Sequence, residues 1–196
     1  YSSKVTYDAD SGTTYVIKTD YPAQFYRRSS TGTYESLPLY PYGSYHLGDF
    51  QYWNGKIYCS SSEPGTSVFD THSLTWDSLP VYINAASIAH DSSRLYWVNQ
   101  NTFKSYDPNT QLVENLPSPP VNLSGGRLFF FLGSLYYKAV NSTPLWRFQL
   151  QSGVWENLGE FNTYYGIQSS GRFLFWTDGH TLHQYDLLNQ TQLPSQ

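Results

Sequence analysis

The stretch "NGKIYCSSSEPGTSVFDTHSLTWDSLP", residues 54–80, decides the fold of this chain. Its segments "KIYCS", "TSVFD" and "TWDSL" are short and rich in aromatic and β-branched residues, which suit half-buried sheet surfaces. A polar loop and a short turn separate these segments, and a Leu-Pro pair ends them. The stretch therefore predicts three consecutive strands, and the preceding segment "YHLGDFQYW" predicts a fourth.

The same pattern recurs along the whole chain. Counterparts of the leucine in the Leu-Pro stop follow one another at 42, 37, 42 and 35 residues, at Leu37, Leu79, Leu116, Leu158 and Leu193. An aromatic anchor in the second strand recurs at 43, 38, 40 and 39 residues, at Tyr15, Tyr58, Tyr96, Tyr136 and Phe175. Four short strands in every ~40 residues are typical of a β-propeller blade. The sequence therefore predicts an all-β fold, a five-bladed β-propeller with four antiparallel strands per blade.

The repeats also predict how the chain is divided. We expect a single domain, residues 1–196, because one isolated sheet cannot bury both of its faces and blades must stack on one another. The predicted blades are residues 1–38, 39–80, 81–117, 118–159 and 160–196. The first blade starts with its own first strand and the fifth ends with its own last strand. No exchange of strands between the termini is therefore expected.

The order "G-K-I-Y … F-D … W … L-P" resembles the kelch repeat, and the resemblance covers the whole chain. Kelch repeats end their second strand in a Gly-Gly pair, whereas these places here hold Ser60-Ser61, Asn99-Gln100 and Thr177-Asp178. The one Gly-Gly pair, Gly125-Gly126, falls in a first strand instead. The resemblance implies a divergent kelch-type propeller whose partners the missing glycines leave open.

Charge and hydropathy exclude two classes of function. The formal net charge is −4, and the 11 Lys and Arg residues are scattered singly except for Arg27-Arg28. Nucleic-acid binding needs a clustered basic face, so we expect no nucleic-acid partner. The longest fully apolar run is residues 128–132. A membrane helix needs roughly 20 such residues, so we expect no transmembrane segment.

Several features favour an extracellular protein or one in the lumen of the secretory pathway. The chain contains no Met, which a removed signal peptide or a longer parent chain would explain. Three N-x-S/T sequons make Asn122, Asn141 and Asn189 candidates for glycosylation. Cys59 is the single cysteine, so no internal disulfide can form, and its place in an apolar strand predicts a buried thiol.

Residues that repeat at one position of the blade are expected to be structural. The five aromatic anchors are predicted to pack between blades. Trp76 and Trp155 share a position in the last strand and are predicted to clamp the turn between the third and fourth strands. Asp70, Asp107 and Asp186 precede that turn, where an aspartate accepts hydrogen bonds from turn amides.

Functional residues are then expected among those that do not repeat. Ligands of propellers usually meet the face formed by the loops that join successive blades and by the loops between the second and third strands. We call this the loop face. Its candidate binding residues are Tyr21, Tyr42, Tyr45, His46, Glu63, Asn84, Asn99, Asn101, Tyr164, Tyr165, Asp178 and His180.

This mixture of tyrosines and polar groups fits two classes of ligand. Tyrosine rings can cover the C–H faces of a sugar while amides and carboxylates bind its hydroxyls. Tyrosine equally provides rigid contact area for a protein at low entropic cost. A plain solvated rim rich in turn residues is the third interpretation. We therefore expect a non-catalytic recognition module for a glycan or a protein.

An enzyme is the less favoured alternative. Glycoside hydrolysis needs two carboxyl groups about 5–10 Å apart, and the candidates here are Asp20, Glu63 and Asp178. None of them begins a first strand, the position nearest the axis, and Asp49 is several residues from the predicted start of its strand. His180 and His183 are three apart on a strand and should point to opposite faces, so a shared metal is not expected. The sequence predicts no cofactor.

The last strand suggests a further possibility. The segment "QTQLPS" is the poorest last strand, because it lacks the Trp or Tyr of other copies. An exposed edge of this kind can pair with another molecule. The chain could thus be a structural subunit of an extracellular assembly that self-associates through its terminal blade.

Overall fold

The computed structural model describes residues 3–18, 24–41, 47–61, 66–85, 87–99, 102–120, 126–139, 144–161 and 167–194. These residues form twenty β-strands and no helix. The strands are β1 (Ser3–Asp8), β2 (Thr13–Lys18), β3 (Gln24–Arg28), β4 (Tyr34–Leu37), β5 (Leu47–Trp53), β6 (Lys56–Ser61), β7 (Ser67–Asp70), β8 (Thr75–Ser78), β9 (Ile88–His90), β10 (Leu95–Asn99), β11 (Thr102–Asp107), β12 (Leu112–Leu116), β13 (Arg127–Phe131), β14 (Ser134–Lys138), β15 (Pro144–Gln149), β16 (Val154–Glu160), β17 (Ile167–Ser170), β18 (Phe173–Thr177), β19 (Leu182–Asp186) and β20 (Thr191–Leu193).

The strands form five antiparallel sheets, each made of four strands that are consecutive in sequence. We call these sheets blades 1 to 5 in chain order. The predicted all-β fold of five four-stranded blades is thereby confirmed. Tight hairpins follow from local sequence. Asn54 and Gly55 join β5 to β6 with φ of 51° and 73°, the left-handed conformations that a two-residue hairpin turn requires.

The chain divides into two compact units, residues 1–88 and residues 89–196. The first unit contains blades 1 and 2. The second contains blades 4 and 5 and nearly all of blade 3, whose strand β9 begins with Ile88. Each unit has its own hydrophobic core, and we describe each by itself.

Blades pack on one another in one repeated way. Along each second strand, the aromatic anchor and the residue two positions later point to one side, which we call the back face. Their immediate neighbours point to the other side, the front face. In the first unit, Tyr15 and Ile17 on the back face of blade 1 join one core with Ile57 and Cys59 on the front face of blade 2. Burial of these apolar side chains provides the main stabilisation.

The second unit repeats this arrangement twice. Tyr96 and Val98 of blade 3 share a core with Leu135 and Tyr137 of blade 4. Tyr136 of blade 4 belongs to the core that contains the front-face residues of blade 5, Leu174 and Trp176. The anchors at positions 15, 58, 96 and 136 are at most 4% exposed, so the interpretation of these four as packing residues agrees with the structure. Phe175 is partly exposed.

The two repeated tryptophans connect adjacent blades. Trp76 Nε1 donates to the carbonyl oxygen of Pro38 at 2.9 Å, and Trp155 Nε1 donates to that of Pro117 at 2.5 Å. Each ring also packs against a phenylalanine of the preceding blade, Phe25 at 5.5 Å or Phe103 at 5.4 Å between centroids. The prediction that these tryptophans clamp a turn within their own blade was therefore incomplete, because they hold the Leu-Pro stop of the blade before.

The repeated aspartates have the predicted structural role. Asp70 Oδ1 accepts from the backbone N–H groups of His72 and Ser73, both at 2.9 Å. Asp107 Oδ1 accepts from the backbone N–H of Asn109 at 2.8 Å, and Asp186 Oδ1 accepts from the backbone N–H of Leu188 at 3.0 Å. Amide donors hold the pKa of the Asp70 carboxyl below its usual value. These carboxylates stabilise the turns between third and fourth strands.

Candidate functional site

The predicted loop face is only partly described. Most of its candidates, and two of the three sequons, lie outside the described residues; they are Tyr21, Tyr42, Tyr45, His46, Glu63, Asn101, Tyr164, Tyr165, Asn122 and Asn141. The candidates that the structure does place are Asn84, Asn99, Asp178 and His180. They lie in three separate segments, before β9, at the end of β10 and between β18 and β19.

Asn84 lies in a segment whose backbone is held on both sides. The Ile83 N–H donates to Thr66 Oγ1 at 2.7 Å, and the Ala85 carbonyl accepts from Ser60 Oγ at 2.8 Å. Both partner side chains are fully buried at the end of blade 2. Residues 83–85 are therefore held against blade 2, and this contact positions the half-buried Asn84.

Asn99 ends β10 and is half-buried. Its carbonyl oxygen accepts from Thr102 Oγ1 at 2.9 Å, which holds together the two ends of the loop between the second and third strands of blade 3. The structure thus places Asn99 at the end of the strand, beside the predicted loop, and its role in binding stays a prediction.

Asp178 organises the corresponding loop of blade 5. Its Oδ1 accepts from the backbone N–H groups of His180 at 3.2 Å and Thr181 at 3.1 Å. Its Oδ2 lies 2.9 Å from His183 Nε2. The histidine and the two amides lower the pKa of the Asp178 carboxyl to about 2. Asp178 is therefore ionised at neutral pH and shapes the loop.

His183 belongs to this cluster, a role that its spacing from His180 did not predict. Its ring stacks on Trp176 at 5.3 Å and 17°, and its Nδ1 lies 3.3 Å from Gln192 Nε2. Strand register explains the arrangement, because Trp176 and His183 are direct cross-strand partners. That pairing, which follows from the predicted hairpin, was the sequence signal that could have identified His183.

Asp49 was set aside from the sequence because of its distance from the predicted start of its strand. It is the third residue of β5, nearer the described start of the strand than the sequence suggested, and it is 5% exposed. Its Oδ2 accepts from the Ile88 N–H at 2.9 Å and from Ser87 Oγ at 3.2 Å. These contacts fasten Asp49 to the start of β9 and give it a structural role.

The remaining sequence predictions concern single residues. Cys59 is fully buried, as predicted, and burial raises the pKa of its thiol well above the usual value. Asn189 is exposed in the turn after β19, and its Nδ2 donates to Asp186 Oδ2 at 2.9 Å. Among the described residues no group of three or more His, Cys, Asp and Glu side chains could hold a metal ion. This part of the chain also contains no helix long and apolar enough to cross a membrane.

Five four-stranded antiparallel blades define the class of fold, the β-propeller. A similar solved structure is that of a chain in the "Crystal structure of Nidogen/Laminin Complex". The two chains share 15% sequence identity with a TM-score of 0.77, over 98% of this chain and 78% of the other. This similarity supports the five-bladed propeller fold and leaves the function of the chain open. No family model and no curated protein matches the sequence.

Proposed function

We propose that the chain is a non-catalytic, extracellular recognition module that binds a protein through its loop face. The observation that carries this proposal is the contrast between repeating and non-repeating residues. The repeating anchors, tryptophans and aspartates are engaged in packing, blade connection and turns. The residues left for recognition are the tyrosines and polar groups of the loops, a composition that suits protein binding.

The structural neighbour adds support by analogy. Its title describes a complex of two proteins, nidogen and laminin. A propeller chain in a complex of two proteins is compatible with a protein-binding role for the present chain. Kinship with kelch-type propellers is part of the proposal too, on the strength of the repeated order of Gly, aromatic, Asp, Trp and Leu-Pro positions.

The carboxylates support a non-catalytic role. Among the three glycosidase candidates, Asp178 is engaged by two backbone amides and His183. Asp20 and Glu63 lie outside the described residues. The buried Asp49 is fastened to the start of β9. A glycosidase needs one carboxyl free to give a proton and another free to attack or to activate water, and the described candidates are engaged elsewhere.

Extracellular location is the second half of the proposal. The exposed sequon at Asn189 and the buried, unreactive Cys59 both suit an oxidising compartment. A structural subunit that assembles through β20 is the alternative. Strand β20 has only three residues, and such a short edge offers few backbone groups for pairing with another chain.

The test uses the purified chain, a panel of secreted proteins, a glycan array and a set of glycoside substrates. A loop-face double variant, Tyr45→Ala with Tyr164→Ala, is compared with the control Leu112→Ala, an exposed apolar residue at the start of β12 and outside the loop face. We expect saturable binding to a protein that the double variant loses by more than tenfold and the control retains. Glycan binding alone would replace the proposed ligand, and hydrolysis of a glycoside would contradict the proposal.

A further inference from the structure

The front face of blade 1 differs from every other front face. In blades 2 to 5 the residue before the anchor and its cross-strand partner in the third strand form an aliphatic–aromatic pair, namely Ile57–Phe69, Leu95–Tyr106, Leu135–Phe148 and Leu174–Tyr185. All eight of these side chains are buried. Blade 1 has Thr14 and Arg28 at these places. Its front face therefore lacks the buried aliphatic–aromatic pair that the other front faces contribute to packing.

This face is nevertheless rich in exposed apolar and aromatic surface. Val5 is 59% exposed, Tyr7 is 55% exposed and Tyr34 is 66% exposed. Strand register places Val5, Val16 and Tyr26 side by side in a central row across the sheet. A sheet face with this composition is stabilised by a partner that covers it.

Two cations border this central row. Lys18 lies in the row on one side and Arg28 in the row on the other, and their cationic groups sit over the rings of Tyr26 and Tyr34 at 5.5 and 5.8 Å. The described residues of this face include no Asp or Glu, although the whole chain carries a net charge of −4. Strand geometry places the Cα atoms of Lys18 and Arg28 about 14 Å apart.

We propose that the front face of blade 1 binds an acidic amphipathic helix of a partner protein. A helix with its side chains is about 10–12 Å wide. Lying along the central row, it would place an apolar stripe on Val5, Val16 and Tyr26 and carboxylates at its two edges beside Lys18 and Arg28. Two isolated cations around an apolar centre suit a polypeptide better than a highly charged glycan, which needs a continuous basic track. The inference rests on the proposed function as a protein-binding module and names a partner chemistry for a second surface.

The probe is a synthetic helix of about 15 residues with leucines along one face and glutamates at both edges. The control peptide has lysines in place of the glutamates. Variants Lys18→Glu and Arg28→Glu are compared with Lys56→Glu, which makes the same charge change at an exposed position of blade 2. Circular dichroism and thermal unfolding confirm that each variant is folded.

We expect the acidic helix to bind with a Kd on the order of 10 µM at low salt. Binding should weaken about fivefold in each of the two charge variants, in Val5→Ser, and in raised salt, and remain unchanged in Lys56→Glu. Tetranitromethane should nitrate Tyr7 and Tyr34 in the free protein, and the bound helix should protect them.

Any one of the following results would overturn the inference. Tyr7 could resist nitration in the free protein, which would mean that the chain itself covers this face. The lysine peptide could bind as well as the acidic one. Heparin could bind at Lys18 and Arg28 while the helix does not. The free chain could self-associate in a way that Lys18→Glu abolishes, which would assign the face to a second copy. If the helix fails to bind while a partner of the loop face is retained, this inference fails and the proposed function stands.

Discussion

At the scale of single residues, hydrogen bonds to repeated positions determine which side chains are structural. Trp76 and Trp155 each donate across 38 residues to the proline carbonyl of the preceding Leu-Pro stop. The sequence predicted the repeat of both tryptophan and Leu-Pro, because each recurs at the blade period. It did not predict that one binds the other, since a contact between blades leaves no mark in the spacing within one blade.

Replacing Trp76 or Trp155 with phenylalanine should lower the free energy of unfolding by about 1 kcal/mol more than the same change at a tryptophan without a hydrogen bond. All such changes shrink the ring, and these two also remove one hydrogen bond. The matched control is Trp146→Phe. Trp146 Nε1 is buried and has no hydrogen-bond partner among the described residues, so its removal should cost clearly less. Urea unfolding measures all three changes. Equal losses in the three variants would mean that the tryptophan–proline bonds contribute nothing specific.

Asp178 makes stability depend on pH in a defined direction. Its folded-state pKa is lowered to about 2 from the ordinary value of 3.8. Its contribution to stability is therefore fully present above pH ~4 and is lost as pH falls toward 2. The stability difference between the wild type and Asp178→Asn should shrink over this range. A difference that stays constant from pH 5 to pH 2.5 would show that the ionised carboxylate is not what stabilises the loop.

At the scale of strands and sheets, much of the fold followed from periodicity. Short aromatic and β-branched segments that recur at a regular spacing predicted the strands of all five sheets. Cross-strand ion pairs were missed, although Arg27–Glu35 and Arg147–Glu156 occupy equivalent positions in blades 1 and 4. Their spacing of eight and nine residues spans a hairpin whose register had to be known before the pair could be recognised.

Strand β5 packs closely against its neighbours at Gly48. A β-carbon there would lie 2.2 Å from the Ala85 carbonyl oxygen and 2.7 Å from Ser60 Oγ. Gly48→Ala should therefore displace the segment that holds Asn84 and lower the free energy of unfolding by about 2–3 kcal/mol. Gly133→Ala is the control, since its β-carbon meets no atom within 4 Å and only its φ of 74° is unfavourable. We expect a cost of about 1 kcal/mol there, and similar costs at both positions would argue against the close approach at Gly48.

At the scale of the whole molecule, the repeats leave function to the residues that differ between blades. The sequence placed these residues in the loops. The structure describes Asn84, Asp178 and His180 outside the strands and Asn99 as the last residue of β10. The front face of blade 1 was not predicted as a surface of interest. Its difference from the other blades appears only when strand register aligns Thr14 and Arg28 with the buried pairs of the other sheets.

Extracellular location predicts that the chain carries a glycan at Asn189 when it is secreted from mammalian cells. The Asn189→Gln variant should lose the mass of one N-linked glycan relative to the wild type, and a glycosidase that removes N-glycans should abolish that difference. Intact mass spectrometry makes the comparison. If the secreted wild type and variant differ in mass only by the one methylene of the substitution, Asn189 carries no glycan and this prediction is wrong.

The central claim is that the repeating aromatic residues pack between neighbouring blades and that a partner is bound by residues that do not repeat. Hydroxyl-radical footprinting of the chain, free and with a bound protein partner, tests it most directly. We predict that Tyr15, Tyr58, Tyr96 and Tyr136 are protected in both states. Labelling that disappears on binding should be confined to loop tyrosines and to Tyr7 and Tyr34. Anchor tyrosines that are labelled in the free chain, or that change on binding, would contradict the claim.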